Sequence, residues 1–295
     1  KPVHGKPWGL TVSQSFSPWQ FEADPVRAAI NAALDAVITQ VIAGVKLEDI
    51  CLADNFYTPN KDEYAYWYLV KQVRALAELS VELGTPFITG KDSSSGSAEF
   101  NGQVINVPPS VCITAMGKIR DVGRLITPEW QAVGNLIYAI GPRAGSLDGS
   151  ILSAALGITG NRLSYSLDLN SRGYLLEAGW LCRSGLVKSA TPVNRGGIIL
   201  RLFEGVEASG LGFKAELCSE LFPESFGAAL VEVTPSGGKR LEREYSSLEP
   251  RLVGQITRGK GLTVRGRKLP WNKLFNAWNT KFGKDRIVPM SDSLT

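Results

Sequence analysis

Residues 85–96 read Thr85-Pro86-Phe87-Ile88-Thr89-Gly90-Lys91-Asp92-Ser93-Ser94-Ser95-Gly96. The apolar run over 86–89 predicts a buried strand that opens into a loop over 90–96. Within that loop, glycine lets a backbone approach an anion closely, and exposed N–H groups form an anion-binding concavity. Lysine adds a point charge, the hydroxyls can donate to phosphate oxygens, and Asp92 can hold a magnesium ion. The spacing is not that of a Walker loop, because GxxxxGK[ST] is absent. An ordinary hairpin loop also favours Gly, Asp and Ser.

Outward from this stretch, the first half alternates strand and helix patterns. Residues 9–17 alternate apolar and polar at period two. Asp24-Pro25 supplies a cap and a first-turn proline for an Ala-, Leu- and Ile-rich helix over 28–42, which Gly44 stops. Residues 50–53 predict a short strand ending at Asp54-Asn55. A carboxylate leaving a strand's carboxyl end is where α/β proteins place ligand groups, although an Asp-Asn pair also simply turns a chain. A long amphipathic helix follows over 63–83, and Pro108-Pro109 breaks the strand pattern over 104–119. This order predicts an α/β sandwich.

A seam near 127–135 separates a second unit. There strands are predicted at 136–140, 213–217, 228–233, 252–257 and 262–264, and helices at 170–185 and 197–209. Residues 269–282 put Trp271, Leu274, Phe275, Trp278 and Phe282 on one helical face. Docking onto its own domain is the favoured fate of that face, and an interface with a partner the alternative.

Composition narrows the chemistry. The 295 residues are 44% apolar and 20% charged, in the range of a folded chain of two domains. The net charge is only +4, distributed as −3 over 1–132 and +7 over 133–295. A basic tract without a nucleic-acid motif predicts a solvated face or an acidic protein partner, not nucleic acid. No uninterrupted apolar run approaches the ~18 residues of a bilayer span. Cys51, Cys112, Cys182 and Cys218 are widely spaced and read as reduced thiols, predicting a cytoplasmic setting. His4 is the only histidine, which excludes a Cys/His zinc site and most triad chemistry. The chain opens at Lys1 directly before strand-like sequence, so a piece of something longer is expected.

Several blocks, in order, carry a resemblance: ICLADNF (50–56), GTPFITGKDSSSG (84–96), INVPPSVCITAMGKIRDV (105–122), GNLIYAIGP (134–142) with SLDGS (146–150), the stretch 183–217, FGAALVEVTP (226–235) and VGQIT (253–257). Together they resemble the carboxyl-terminal half of the synthetase region of phosphoribosylformylglycinamidine synthase. The resemblance implies an α/β (α+β) two-domain unit like aminoimidazole ribonucleotide synthase. A small barrel-forming domain would occupy 1–132, a larger α/β domain 133–268, and a terminal helix and linker 269–295.

It further implies an ATP-dependent C–N ligase step: amidation of formylglycinamide ribonucleotide in purine biosynthesis. Asp54, Gly90 and Lys91 would contact ATP, Lys91 standing where some relatives have a magnesium-binding asparagine. Ser93 and Ser94 would contact the substrate phosphate, and Asp92 is the candidate Mg2+ ligand. The implied partners are the amino-terminal half of the synthase and a glutaminase domain or subunit, with a homodimer through the barrel domain when isolated. The catalytic histidine would belong to the other half, so this chain alone is expected to be inactive.

Departures from the family pattern are specific. Ala32 and Ala36 stand where a second, auxiliary nucleotide site has magnesium ligands, and Pro192 stands where it has an aspartate. The auxiliary nucleotide–metal site is therefore expected to be lost, with Arg195 filling part of the vacated charge. Two other readings compete: a non-catalytic docking scaffold, and a nucleotide-binding relative of the thiamine-monophosphate kinase or selenophosphate synthetase type.

Overall fold

A computed structural model describes residues 2–158, 171–216 and 220–280. The first part runs β1 (Gly9–Ser15), α1 (Pro18–Ala23), α2 (Pro25–Ile42), β2 (Ile50–Tyr57), α3 (Glu63–Leu83), β3 (Phe87–Ser93), β4 (Ser97–Phe100), β5 (Gln103–Asn106) and β6 (Ser110–Ile119). Its main sheet has the order β1-β6-β2-β3, and β4 and β5 form a separate hairpin. β1 and β2 each pair antiparallel with β6, whereas β3 joins the edge parallel to β2.

The second part runs β7 (Leu136–Ile140), α4 (Ile151–Ala155), α5 (Ser171–Arg183), β8 (Ser189–Val193), α6 (Gly197–Ser209), β9 (Gly212–Ala215), β10 (Ala228–Val233), α7 (Pro235–Glu244), β11 (Arg251–Thr257), β12 (Gly261–Val264), β13 (Arg267–Lys268) and α8 (Trp271–Asn279). Seven strands form one sheet in the order β13-β12-β9-β11-β7-β10-β8.

Local chemistry accounts for the helix boundaries. Asp24 caps α2 by accepting from the Arg27 N–H at 3.0 Å, with Pro25 in the first turn. Asp62 caps α3, and Gly84 takes the left-handed conformation (φ 71°) that ends it. α2 has the length and hydropathy to cross a bilayer, yet most of it is buried within the protein. It packs on β1 and β6 on one side and on α5, β8 and β10 on the other. A single apolar cluster thereby runs from Leu34, Val37 and Ile113 through to Leu175, Val231 and Leu241. A second cluster, around Trp130, Phe213 and Leu230, fills the other face of the seven-stranded sheet.

The seam is tied down. The Glu232 carboxylate, fully buried in β10, accepts from the Gln131 and Ala132 N–H groups, from Asn135 Nδ2 at 2.6 Å and from Ser189 Oγ at 2.7 Å. Four donors satisfy a buried charge that would otherwise be costly.

The structure corrects several expectations. The strand over 86–89 is neither short nor buried: β3 continues through Ser93, and Ile88 to Asp92 are all exposed. β2 likewise runs on to Tyr57, so Asp54 and Asn55 lie within a strand rather than in a turn. Backbone pairing from Ala53↔Thr89 to Tyr57↔Ser93 overrides the turn preference of Asp, Asn, Gly and Ser. The four strands form an open sheet; the barrel expected of this domain would need a twin domain to pair with it.

Helix α7 was hidden by Gly237-Gly238. Thr234 caps it, and Gly238 lets it approach β7, since a Cβ there would sit 3.0 Å from the Tyr138 hydroxyl. Leu217, the last residue of the strand predicted at 213–217, lies outside the described residues, as do Cys218 and Phe282. α8 docks in cis: Trp271 stacks on Phe203 with ring centroids 4.8 Å apart, and Trp278 reaches the same ring at 5.4 Å.

Candidate functional site at the open sheet edge

The parallel pair β2–β3 brings the predicted residues together, but on two faces. Side chains alternate along a strand, so Asp54, Gly90 and Asp92 lie toward the helix side while Asn55, Tyr57, Lys91 and Ser93 lie on the open face.

On the helix side, Asp54 sits directly over Gly90. A Cβ at Gly90 would lie 2.2 Å from Asp54 Oδ1, so any larger residue there would require the carboxylate to swing aside. Gly90 is not a left-handed residue; its requirement is close approach. Burial pushes the Asp54 carboxyl above its ordinary value, opposed by a hydrogen bond donated by the Lys91 backbone N–H. Asp92, two residues on, accepts from Thr58 Oγ1 at 3.2 Å.

On the open face, polar side chains form a chain of contacts. Lys91 Nζ donates to Ser93 Oγ, Ser93 Oγ donates to Asn55 Oδ1 at 3.3 Å, and Asn55 Nδ2 donates to Tyr57 Oη at 2.9 Å. Sequence reasoning singled out neither Asn55 nor Tyr57 as a site residue; their place at i+1 and i+3 from Asp54 was the available signal. Ser94 follows β3, is exposed, and does not join this network. The glycine turn expected to cradle an anion with free N–H groups is instead an edge strand.

What this edge can do follows from its donors. A lysine and a serine present positive charge and a hydroxyl to an anion on the open face. Magnesium characteristically takes one or two carboxylates and completes its shell with water and substrate phosphates. Asp54 and Asp92, on one face of adjacent strands, fit that donor set. Among the described residues, no group of three or more His, Cys, Asp or Glu side chains is placed to hold a metal by itself.

A second polar cluster lies where α2 meets β8 and α6. Asp35 is buried in α2 and accepts from Asn194 Nδ2 at 3.2 and 3.3 Å. Burial raises its carboxyl to about 6, against hydrogen bonds from Ser15 and Asn194 and the charges of Arg195 and Arg201. Arg201 is itself largely buried and pairs with Glu204 at 2.7 Å. Glu224 Oε1 accepts from the Gly196 and Ile151 N–H groups at 2.8 and 2.9 Å.

Ala32 and Ala36, the two positions expected to lack metal ligands, are buried on α2, and Pro192 lies within β8. Arg195 is exposed yet its charge acts on Asp35, Glu204 and Glu224, while the more deeply placed guanidinium is that of Arg201. A lone aspartate in an alanine-rich apolar helix was the signal for Asp35.

No protein-family model matches the sequence. Among solved structures, Thermotoga maritima PurL complexed with FGAR superimposes with a TM-score of 0.70 at 14% identity, covering 90% of this chain and 46% of that one. The T. maritima PurL complex with ATP gives 0.62 at 12% identity, covering 89% and 42%. Escherichia coli HypE, a hydrogenase maturation protein, gives 0.63 at 13% identity, covering 90% and 85%. The chain thus spans less than half the length of PurL and most of the length of HypE. At these identities the likeness is one of fold, and it agrees with the expectation drawn from the sequence. The two-sheet α/β architecture of this chain is the aminoimidazole ribonucleotide synthase-like fold, shared with PurL and HypE.

Proposed function

We propose that this chain is one half of the synthetase module of an ATP-dependent amidating ligase acting on formylglycinamide ribonucleotide in purine biosynthesis. The carrying observation is the β2–β3 edge: Asp54 over Gly90, with the Lys91–Ser93–Asn55–Tyr57 network on an uncovered sheet face. The reading is supported by the fold of PurL, whose structures are described as complexes with FGAR and with ATP. Residues up to about 132 and from 133 to 268 would be its two domains. A cytoplasmic setting belongs to the same proposal.

In this reading, transfer of the ATP γ-phosphoryl to the formamide oxygen yields ADP and an O-phosphoryl imidate. Ammonia adds at the imidate carbon, and phosphate leaves with the C–O bond electrons to give the amidine. Such steps depend on positioning and charge neutralisation. Ser93 and Ser94 would donate to the substrate phosphate. Asp54, Gly90 and Lys91 would meet ATP, the glycine allowing close approach and the lysine offsetting phosphate charge. Asp54 and Asp92 would hold Mg2+, which when bound neutralises phosphate charge. The general acid–base group and the ammonia source would come from the amino-terminal half and a glutaminase, so the chain alone would be inactive.

The test is to mix this chain with the amino-terminal half of the synthase and follow ammonia-dependent phosphate release. Asp54→Ala and Ser93→Ala are each expected to lower the rate by about tenfold or more. Unchanged turnover in both variants would remove this edge from the active site. A second reading is favoured by one observation, the 85% coverage of HypE: a stand-alone nucleotide-using unit that pairs with a second copy of itself. Phosphate release by the unmixed chain, accompanied by a dimer in sedimentation, would establish it. A docking scaffold would show no ATP-dependent thermal shift even in the mixture, where an active half gains ~2–4 kcal/mol of apparent stability at saturation.

A further inference from the structure

At the opposite end of β2 from the candidate site, a cavity of about 400 Å³ opens between the two parts of the chain. Its walls are the end of α2, the turn before β2, the end of β6 and the carboxyl end of α5. Ligand pockets commonly occupy such inter-unit clefts at volumes of about 300–1,000 Å³. β2 begins at Ile50, beside the cavity residue Asp49, and ends at Tyr57, so roughly 23 Å separate the two sites at about 3.3 Å per residue.

The lining is strongly cationic. Lys46, Lys118, Arg120, Arg124 and Arg183 face two carboxylates, Asp49 and Asp121. Asp49 is committed to Arg120 at 3.2 Å, and Asp121 accepts from the Gly123 N–H at 2.9 Å. Lys46 pairs with Glu48 at 3.4 Å. Among the described residues, no carboxylate lies within ion-pair distance of Lys118, Arg124 or Arg183. Lys118 instead lies over the Trp8 ring, and Arg183 donates to the Val45 carbonyl at 3.4 Å.

Two features decide the kind of ligand. The carbonyl end of α5 would repel an anion, but Ser184 blunts it by donating both its N–H and its Oγ to the Leu181 carbonyl. The floor is apolar, formed by Ile119, Ile126 and Val187. A bare inorganic anion would leave that floor in water. A phosphate attached to a planar or apolar group would cover it while meeting the guanidinium groups, which suit phosphate geometry.

We propose that this cavity binds a nucleotide-sized organic phosphate, at a site separate from the β2–β3 edge. Occupation would bridge the first sheet and α5, so the ligand would bias how firmly the two parts are held together. The proposal does not depend on the ligase reading.

The experiment is calorimetric titration of the chain with AMP, with pyrophosphate as the phosphate-only arm. AMP is expected to bind with an affinity that falls as salt rises, and to bind more tightly than pyrophosphate. Arg124→Glu and Arg183→Glu should each weaken it by about tenfold or more. The charge-neutral Arg124→Gln and Arg183→Gln should act in the same direction by a smaller factor, guarding against a variant that fails to fold. No heat at millimolar AMP, or affinity insensitive to the arginine variants, would overturn the site. Binding lost in Asp54→Ala would move it to the sheet edge, and pyrophosphate binding as tightly as AMP would overturn the organic portion of the ligand.

Discussion

The two sheets of this molecule solve the same problem differently. In the seven-stranded sheet, β10 is buried at every position, because apolar clusters cover both faces. In the four-stranded sheet, helices cover one face only, and Leu10 and Val12 stand 64% and 70% exposed on the other. Every sequence-predicted site residue belongs to the uncovered sheet or to the turn after it. The closed sheet supplies rigidity; the open one supplies an apolar and polar face available to a ligand or a second protein surface.

The strongest way to break this comparison is to cut into both sheets and compare costs. Leu230→Ala in β10 is expected to lose about 2–5 kcal/mol, read from urea midpoints, because a filled core position becomes a cavity. The matching change on the open face, Leu10→Ala, has the smallest expected effect.

Next in size is the pH dependence carried by Asp35, which sits where the two parts meet. Its carboxyl is raised to about 6 in the folded chain from the model-peptide value of 3.8. Between those values the folded state holds a proton that the unfolded state has released. This contribution is fully present below about pH 4 and is lost as pH rises through 6. A difference of that size is worth about 3 kcal/mol. Asp35→Asn should flatten the stability profile over that window; an unchanged slope would assign it to other groups.

Gly90→Ala tests the close approach on the edge. The added methyl would collide with the Asp54 carboxylate, and displacing it is expected to cost about 1–3 kcal/mol. The double variant with Asp54→Ala should recover most of that loss. Additive losses in the cycle would mean that the two residues do not meet.

Smallest of all, Leu10→Ala should change stability by less than about 0.5 kcal/mol in the isolated monomer. A loss comparable to that of Leu230→Ala would show the face already covered in solution, and sedimentation would then reveal the second copy responsible.

Much of the architecture was legible because it is locally encoded. Asp24-Pro25 and Gly84 carry a cap and a stop that work within one turn, and α2 begins and α3 ends there. The Trp271 and Trp278 face was legible from spacing alone. Exposure of β3 was not: whether a strand such as 87–93 is covered depends on what packs against it, and an edge position leaves no mark in its own residues. α7 was missed because two glycines disguise a helix whose reason for glycine is a neighbouring strand. The Asp35–Asn194 contact joins residues 159 positions apart and has no local signature.

The Glu232 carboxylate has one more bearing on how the protein works. By gripping residues 131, 132 and 135 and strand β8 at once, it rivets the stretch of chain that leads from the first sheet into the second. Four hydrogen bonds to one buried carboxylate stiffen residues 131–135. The exposed face of the first sheet is therefore held in a set position relative to the second by a buried polar network rather than by apolar packing alone.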